Sequence, residues 1–324
     1  MDAPTSPRRT LLNPQLVVLC ILLISQVSYP QNFKKNATAG FTFLEIPATA
    51  RTAALGESSL ALSDENSSAV FSNPAALGFS SQTHSLSVSY APWFAEIKNF
   101  TSSYALKTSY GVFGVGLVVF DYGSIPRSVV AQGQKVYEVI GTFDAKSMAF
   151  GITYSKLLTD RFSFGAAVKY VQETIDMYRA SNVLFDGGVL YYTGLGSFRI
   201  AASVQNFGVN SKFINDEFKM PSVFKLGAAV EVTGAKDADN RITVLAEALH
   251  PNDATEKVNV GLEYSWRSRV SLRAGYKFFS DEETYSVGLG FDPQLSVPFV
   301  LDVAYSNYGR LGKISRLTLQ FGLN

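Results

Sequence analysis

Cysteine is nearly absent: the 324-residue chain has one, Cys20. That count excludes disulfides within the chain and paired thiol chemistry. Histidine is almost as rare, with His84 and His250 alone, and neither has a second histidine or a metal-ligand residue at i+4. Metal motifs built on histidine spacing are therefore missing, and no metal or other cofactor is expected. No run of about 18 apolar residues occurs after residue 31, so no transmembrane helix is expected there. Charge is scarce at 17%, against the usual quarter or so. The net charge of +1 gives no electrostatic case for nucleic acid as a partner. What the chain has instead is aromatic, with 24 Phe and 16 Tyr. Few charges with many aromatics suit a protein that hides much of its outer surface from water.

Residues 1–31 read as a secretory signal peptide. Arg8 and Arg9 give the positive start, and Leu16–Ile24 ("LVVLCILLI") is the short apolar run. Cys20 follows Leu19, which is not the small residue that a lipoprotein site needs.

From residue 84 onward the pattern repeats every two residues. In "VNVGLEYSW", Val258, Val260, Leu262, Tyr264 and Trp266 fall on one face, and Asn259, Gly261, Glu263 and Ser265 on the other. That alternation marks strands, since helices repeat every three to four residues. Fourteen such runs lie near 84–92, 99–108, 110–121, 143–156, 161–172, 183–192, 196–206, 222–233, 241–249, 257–266, 269–279, 284–291, 298–306 and 315–323. Most have the nine to eleven or so residues that a tilted membrane-spanning strand needs. Their even number, and aromatic strand ends such as Trp266, Tyr276, Phe278 and Tyr305, fit an outer-membrane barrel. A soluble all-β fold is the alternative, because alternation alone does not say whether lipid or protein covers the apolar face. Tight turns at 107–110, 157–161, 193–196 and 266–269 belong on the inner side. The longest connections, 121–142 and 207–221, belong on the outer side as loops.

Catalytic patterns are weak. His84 and Ser85 are adjacent, so on a strand they point to opposite faces. "GVFGVG" at 111–116 lacks the glycine three residues after Gly114-Val115-Gly116, where Val119 stands, and the helix of a dinucleotide fingerprint. The expectation is that the protein is not an enzyme. The inward faces carry Lys169, Arg199, Gln205, Lys225, Glu231, Glu263, Arg273, Lys277, Asp302 and Arg316. Mixed signs suit either a wet pore lining or a salt-bridged network around a plug.

The stretch "ARTAALGESSLALSDENSSAVFSNPAALG" (50–78) precedes the strands. Its small residues allow close backbone packing, and Leu60 and Leu62 alternate like a short strand. Asp64 and Ser67 read as caps of a helical turn through Phe71. Asn73-Pro74 reads as an N-cap with proline at the first helical position, closed by Gly78. A lumen plug carrying short helices is expected, with Arg51 paired to Glu231 or Glu263. The expected organisation is 1–31 signal peptide, 32–83 plug and 84–324 transmembrane barrel.

The opening "GFTFLEIPATARTAALG" (40–56), then "SDENSSAVFS" and Asn73–Leu77, resembles the PorV/PorQ family of outer-membrane proteins, which is FadL-like in fold. "SVQNFG" (203–208), "MPSVFKLGAAVEV" (220–232), "EKVNVGLEYSWRSRVSLRAGYKF" (256–278) and the ending at 302–323 add to it. Within the family motif fall Arg51, Gly56, Asp64, Asn73, Pro74 and Gly78. The resemblance implies an all-β, fourteen-stranded antiparallel transmembrane barrel with an N-terminal plug, set in outer-membrane lipid. It also implies a link to type IX secretion and surface attachment, with secretion proteins or cargo domains bound through outer loops. FadL-like passage of hydrophobic small molecules is the alternative.

Overall fold

The computed structural model describes residues 39–130, 137–234, 238–280, 282–295 and 298–323. The proposed signal peptide lies outside the described residues.

Fourteen antiparallel strands form one closed barrel. They are β1 (His84–Pro92), β2 (Lys98–Thr108), β3 (Gly111–Val130), β4 (Tyr137–Leu157), β5 (Phe162–Ile175), β6 (Tyr178–Tyr192) and β7 (Arg199–Phe207). Then follow β8 (Val223–Thr233), β9 (Arg241–Pro251), β10 (Lys257–Trp266), β11 (Val270–Phe278), β12 (Tyr285–Phe291), β13 (Phe299–Asn307) and β14 (Lys313–Leu323). Each pairs with its neighbours in sequence, and β1 pairs with β14 from His84↔Leu323 to Tyr90↔Leu317. Closure leaves no edge, as hydrocarbon requires.

Burial along the strands decides between lipid and a soluble core. In β10 the apolar residues face out: Leu262 is 46% exposed and Trp266 47%, whereas Glu263 is 1% exposed and Asn259 1%. A soluble sheet buries its apolar face; here the polar face is buried and the apolar face is bare. The same inversion runs through β11, where Leu272, Tyr276 and Phe278 are exposed and Arg273 and Lys277 buried. This is the surface of a barrel solvated by lipid.

One connection differs from the sequence expectation. Residues 121–130 and 137–142 are not a loop: β3 and β4 continue as a paired ribbon, Val130↔Tyr137 being its last described pair. The partners β2 and β5 stop at Asp121 and Ala145, so the ribbon projects beyond the wall at the outer end. Gly123-Ser124-Ile125-Pro126 suggests a turn, but register shifts at Asp121/Ser124 and Arg127/Ser128 absorb those residues as bulges. Arg127 ties the ribbon to Asp176 in the β5–β6 turn at 2.5 Å. The other long outer connection, 208–222, holds a two-residue ribbon, Ser211–Lys212 with Glu217–Phe218.

Candidate functional site: the segment inside the barrel

Residues 39–83 lie within the ring of strands. The segment starts at the outer end. Gly40 N–H donates to Lys219 O at 3.0 Å, and Phe41 and Phe43 pack with Phe120, Leu184, Met220 and Phe218. It ends at the inner end, where β1 begins.

Its local structure follows from its small and capping residues. A one-turn helix, α1 (Ala50–Ala54), starts at Thr49, whose hydroxyl accepts Thr52 N–H at 3.3 Å. Ala50, Ala53 and Ala54 are buried against Ala304 of β13. A second turn, α2 (Ala69–Ser72), leads to Asn73, whose side-chain Oδ1 accepts Ala75 N–H at 3.0 Å. A 3-10 helix then runs Pro74–Phe79, with the proline at its first position. Asn73 Nδ2 also donates to Leu60 O at 2.9 Å, so this buried cap ties two parts of the segment together.

Three local readings of the segment change. Asp64 does not cap a helix; its carboxylate meets Arg51 at 3.0 Å and Arg241 at 2.9 Å, and long-range charge outweighs a local cap. Ser67 makes no side-chain cap, and Leu60–Leu62 form a turn rather than a strand. Gly78 lies inside the last 3-10 helix, where a Cβ would overlap Ser163 Oγ; space rather than helix closure calls for glycine.

The wall is shaped to fit. Glycines at 114, 116, 165, 188, 227, 261, 275 and 288 face the segment, and a Cβ at each would crowd it. At Gly275 an added Cβ would overlap the backbone of Leu55 and Gly56. Gly56 takes φ 63°, which L-residues rarely adopt, and a Cβ there would lie 2.9 Å from Tyr276 N. Two backbones thus touch with no side chain between them. Wall hydroxyls serve the segment's free backbone groups. Thr318 Oγ1 accepts Ala50 N–H at 2.7 Å, Thr101 Oγ1 donates to Ala48 O at 2.7 Å, and Ser286 Oγ accepts Gly56 N–H at 3.1 Å.

Charge fixes the orientation. Arg51 binds Glu263 through Nε and Nη2, both at 2.9 Å. Glu263 also takes Arg273 Nε at 2.6 Å, and Arg273 reaches Asp302 at 2.5 Å. Arg241 joins Asp64 to the same cluster. Three guanidinium groups and three carboxylates form one network. Burial works against the Asp64 carboxylate, but Arg51 and Arg241 hold it well below the usual carboxylate range.

The remaining inward charges are mostly paired. Glu231 meets Arg199 at 2.8 Å rather than Arg51. Arg199 also donates to Ala61 O at 2.7 Å. Lys169 binds Asp186 at 2.7 Å, and Lys277 binds Glu57 and Glu283 at 2.5 Å each. Lys225 lies 3.7 Å from Glu247. Gln205 donates to Ser72 O. Arg316 is buried, with no ion pair among the described residues. Sequence reasoning missed Asp186, Arg241 and Glu247 as wall partners. Their alternation was the available signal: Glu247 is two residues from Leu245 and four from Thr243, both buried on the same face.

Two segment carboxylates have no cation bound to them among the described residues. Burial pushes Glu65 up to about 7, against the Ser72 hydroxyl that donates to it and the nearby Arg51. Burial and the neighbouring Asp253 push Glu45 up to about 7. As for the histidines, His84 Nδ1 lies 2.7 Å from the Tyr104 hydroxyl, and His250 3.2 Å from Glu256. His84 is exposed and Ser85 buried, so they face opposite ways.

A cavity of about 160 Å³ remains beside the segment in the outer half of the lumen. Phe43, Leu44, Val70, Phe71, Val118 and Ala149 make one side of it; Lys225, Glu247, Asn259 and Lys277 make the other.

Residues 29–187 match the model of the family described as "Type IX secretion system protein PorV". No curated protein matches the chain. Among solved structures, the Ralstonia pickettii toluene transporter TbuX is similar in fold. It has a TM-score of 0.58 and 11% identity, over 85% of this chain and 98% of that one. The Pseudomonas putida toluene transporter TodX gives 0.55 and 14%, over 84% and 96%. The CymD monoaromatic hydrocarbon channel gives 0.52 and 10%, over 85% and 97%.

Proposed function

We propose that this chain, whose residues 29–187 match the PorV family model, is a PorV-type outer-membrane barrel that acts as a non-enzymatic docking protein of type IX secretion. Its partners are secretion proteins or the cargo domains they handle, bound at the outer end. One observation carries the reading: the lumen is filled by a segment that the wall is built to hold. Eight wall glycines, the Arg51–Glu263 pair and three wall hydroxyls seat residues 39–83. A barrel sealed this way works through its surface, and the β3–β4 ribbon projects past the partners of both its strands. Val129, Val130, Tyr137, Val139 and Ile140 are exposed on it, beyond the lipid-facing part of the wall. Export through residues 1–31 as a signal peptide belongs to the same reading.

Deletion of the gene followed by surface proteomics tests it. Loss of surface cargo is the expected result. Intact surface cargo with impaired uptake of hydrophobic compounds contradicts it.

The cavity favours a second reading, entry of small hydrophobic molecules. Its apolar side has room for such a molecule within the outer half of the lumen.

A further inference from the structure

The cavity has a feature that neither docking nor a purely hydrophobic cargo uses. Its polar side presents two buried acceptors with no hydrogen-bond partner among the described residues, Glu247 Oε1 and Asn259 Oδ1. Glu247 is 2% exposed and Asn259 1%, and both line the cavity. The other Glu247 oxygen is engaged, accepting Leu60 N–H at 3.0 Å. Lys225 Nζ lies 3.7 Å from Oε1, beyond hydrogen-bond range. An unsatisfied buried acceptor is costly, so a site that keeps two of them facing one space suits a donor.

Apolar side chains from both wall and segment supply the opposite lining. Val118 and Ala149 of the wall face Phe43, Val70 and Phe71 of the segment. A cavity of 160 Å³ matches apolar cavities of about 150 Å³ that take up a single benzene ring.

We propose that this cavity is a binding site for a compact apolar molecule, about one aromatic ring in size, that carries a hydroxyl donor. The ring lies against Phe43, Phe71, Val118 and Ala149. The hydroxyl donates to Glu247 Oε1 and lies within reach of Asn259. A carboxylate in the same place would confront the Glu247 carboxylate, while the lining Lys169 and Lys277 are engaged by Asp186 and by Glu57 and Glu283, so acids are disfavoured. The proposal rests on the second functional reading for the occupancy of the cavity, but not for passage across the membrane.

Three probes test it on the full-length barrel in detergent: 4-fluorophenol, fluorobenzene and 4-fluorobenzoate, followed by fluorine NMR titration. The expected result is saturable binding of 4-fluorophenol, at least tenfold or so tighter than the other two. Glu247→Gln turns a donor toward the cavity and should remove most of that preference while leaving fluorobenzene affinity unchanged. Ala149→Leu should weaken all probes by filling the apolar side. If Glu247→Gln fails to assemble, judged by heat-modifiable migration, Asn259→Ala supplies the test and should weaken 4-fluorophenol alone by severalfold. Equal affinity for the three probes, or no saturable binding, overturns the site; water alone then satisfies the two acceptors. Uptake by cells is measured in parallel. Binding without uptake supports the site and counts against passage, so the two ideas fail separately.

Discussion

Arg51 and Glu263 are 212 residues apart in sequence and meet inside the barrel through two contacts of 2.9 Å. The pair joins the N-terminal segment to β10 where both side chains are buried. Removing one member leaves an uncompensated charge among Asp64, Arg241 and Arg273. Arg51→Ala is expected to cost about 3 to 5 kcal/mol of folded-state stability. Arg51→Lys keeps the charge but loses the two-pronged geometry, so it should fall between. Urea unfolding in detergent micelles, with vancomycin sensitivity of cells as a readout of leakage, checks the order.

The wall glycines divide by what they face. Gly275→Ala places a Cβ into the backbone of Leu55 and Gly56, which cannot move aside as a flexible side chain does. Gly187→Ala meets open space. The first substitution should lower the thermal midpoint and loosen the segment to protease. The second should change neither. Limited proteolysis of the two variants side by side checks this.

Glu65 gives the segment a pH dependence. Its carboxyl is pushed up to about 7 from an ordinary 4.5, so the folded state binds a proton more tightly than the unfolded state does. The resulting stability is fully present below pH 4.5 or so and is lost as pH rises through about 7. The difference is at most roughly 3 kcal/mol. Glu65→Gln removes the titration. Between pH 5 and 8 the wild type should therefore lose stability relative to the variant. A constant difference across that range contradicts the assignment.

Shortening the ribbon separates assembly from docking. Residues 122–130 and 137–144 have their strand partners only within the ribbon, tied to the β5–β6 turn through Arg127 and Asp144, while 111–121 and 146–157 keep their partners in the wall. Replacing 122–144 with a tight turn should leave heat-modifiable migration unchanged. Surface cargo should fall as it does in the full deletion. Surface proteomics of a strain carrying the shortened barrel checks the second half.

The barrel was legible because lipid imposes a period that every strand must obey. In β10 each apolar residue from Leu262 to Trp266 is exposed and each residue between them buried, which is the alternation written in the sequence. The β3–β4 ribbon was less legible, since Gly123 and Pro126 carry turn signals that the bulges absorb. The family motif marked the segment, and Asn73-Pro74 revealed its cap because both partners are local. Asp64 was misread for the opposite reason. Its partner Arg241 lies 177 residues away, and no local rule anticipates it. Gly78 and Gly275 were likewise beyond reach, because what excludes a side chain there is a surface from another part of the chain.

Residues 39–83, as proposed above, seal the barrel and leave its outer surface to act. Planar-bilayer recording of the purified protein tests it most directly. The wild type should show no steady ion conductance, and a variant lacking residues 39–79 should show discrete open-channel steps. Steady open-channel conductance in the wild type, equal to that of the deletion variant, would contradict the account.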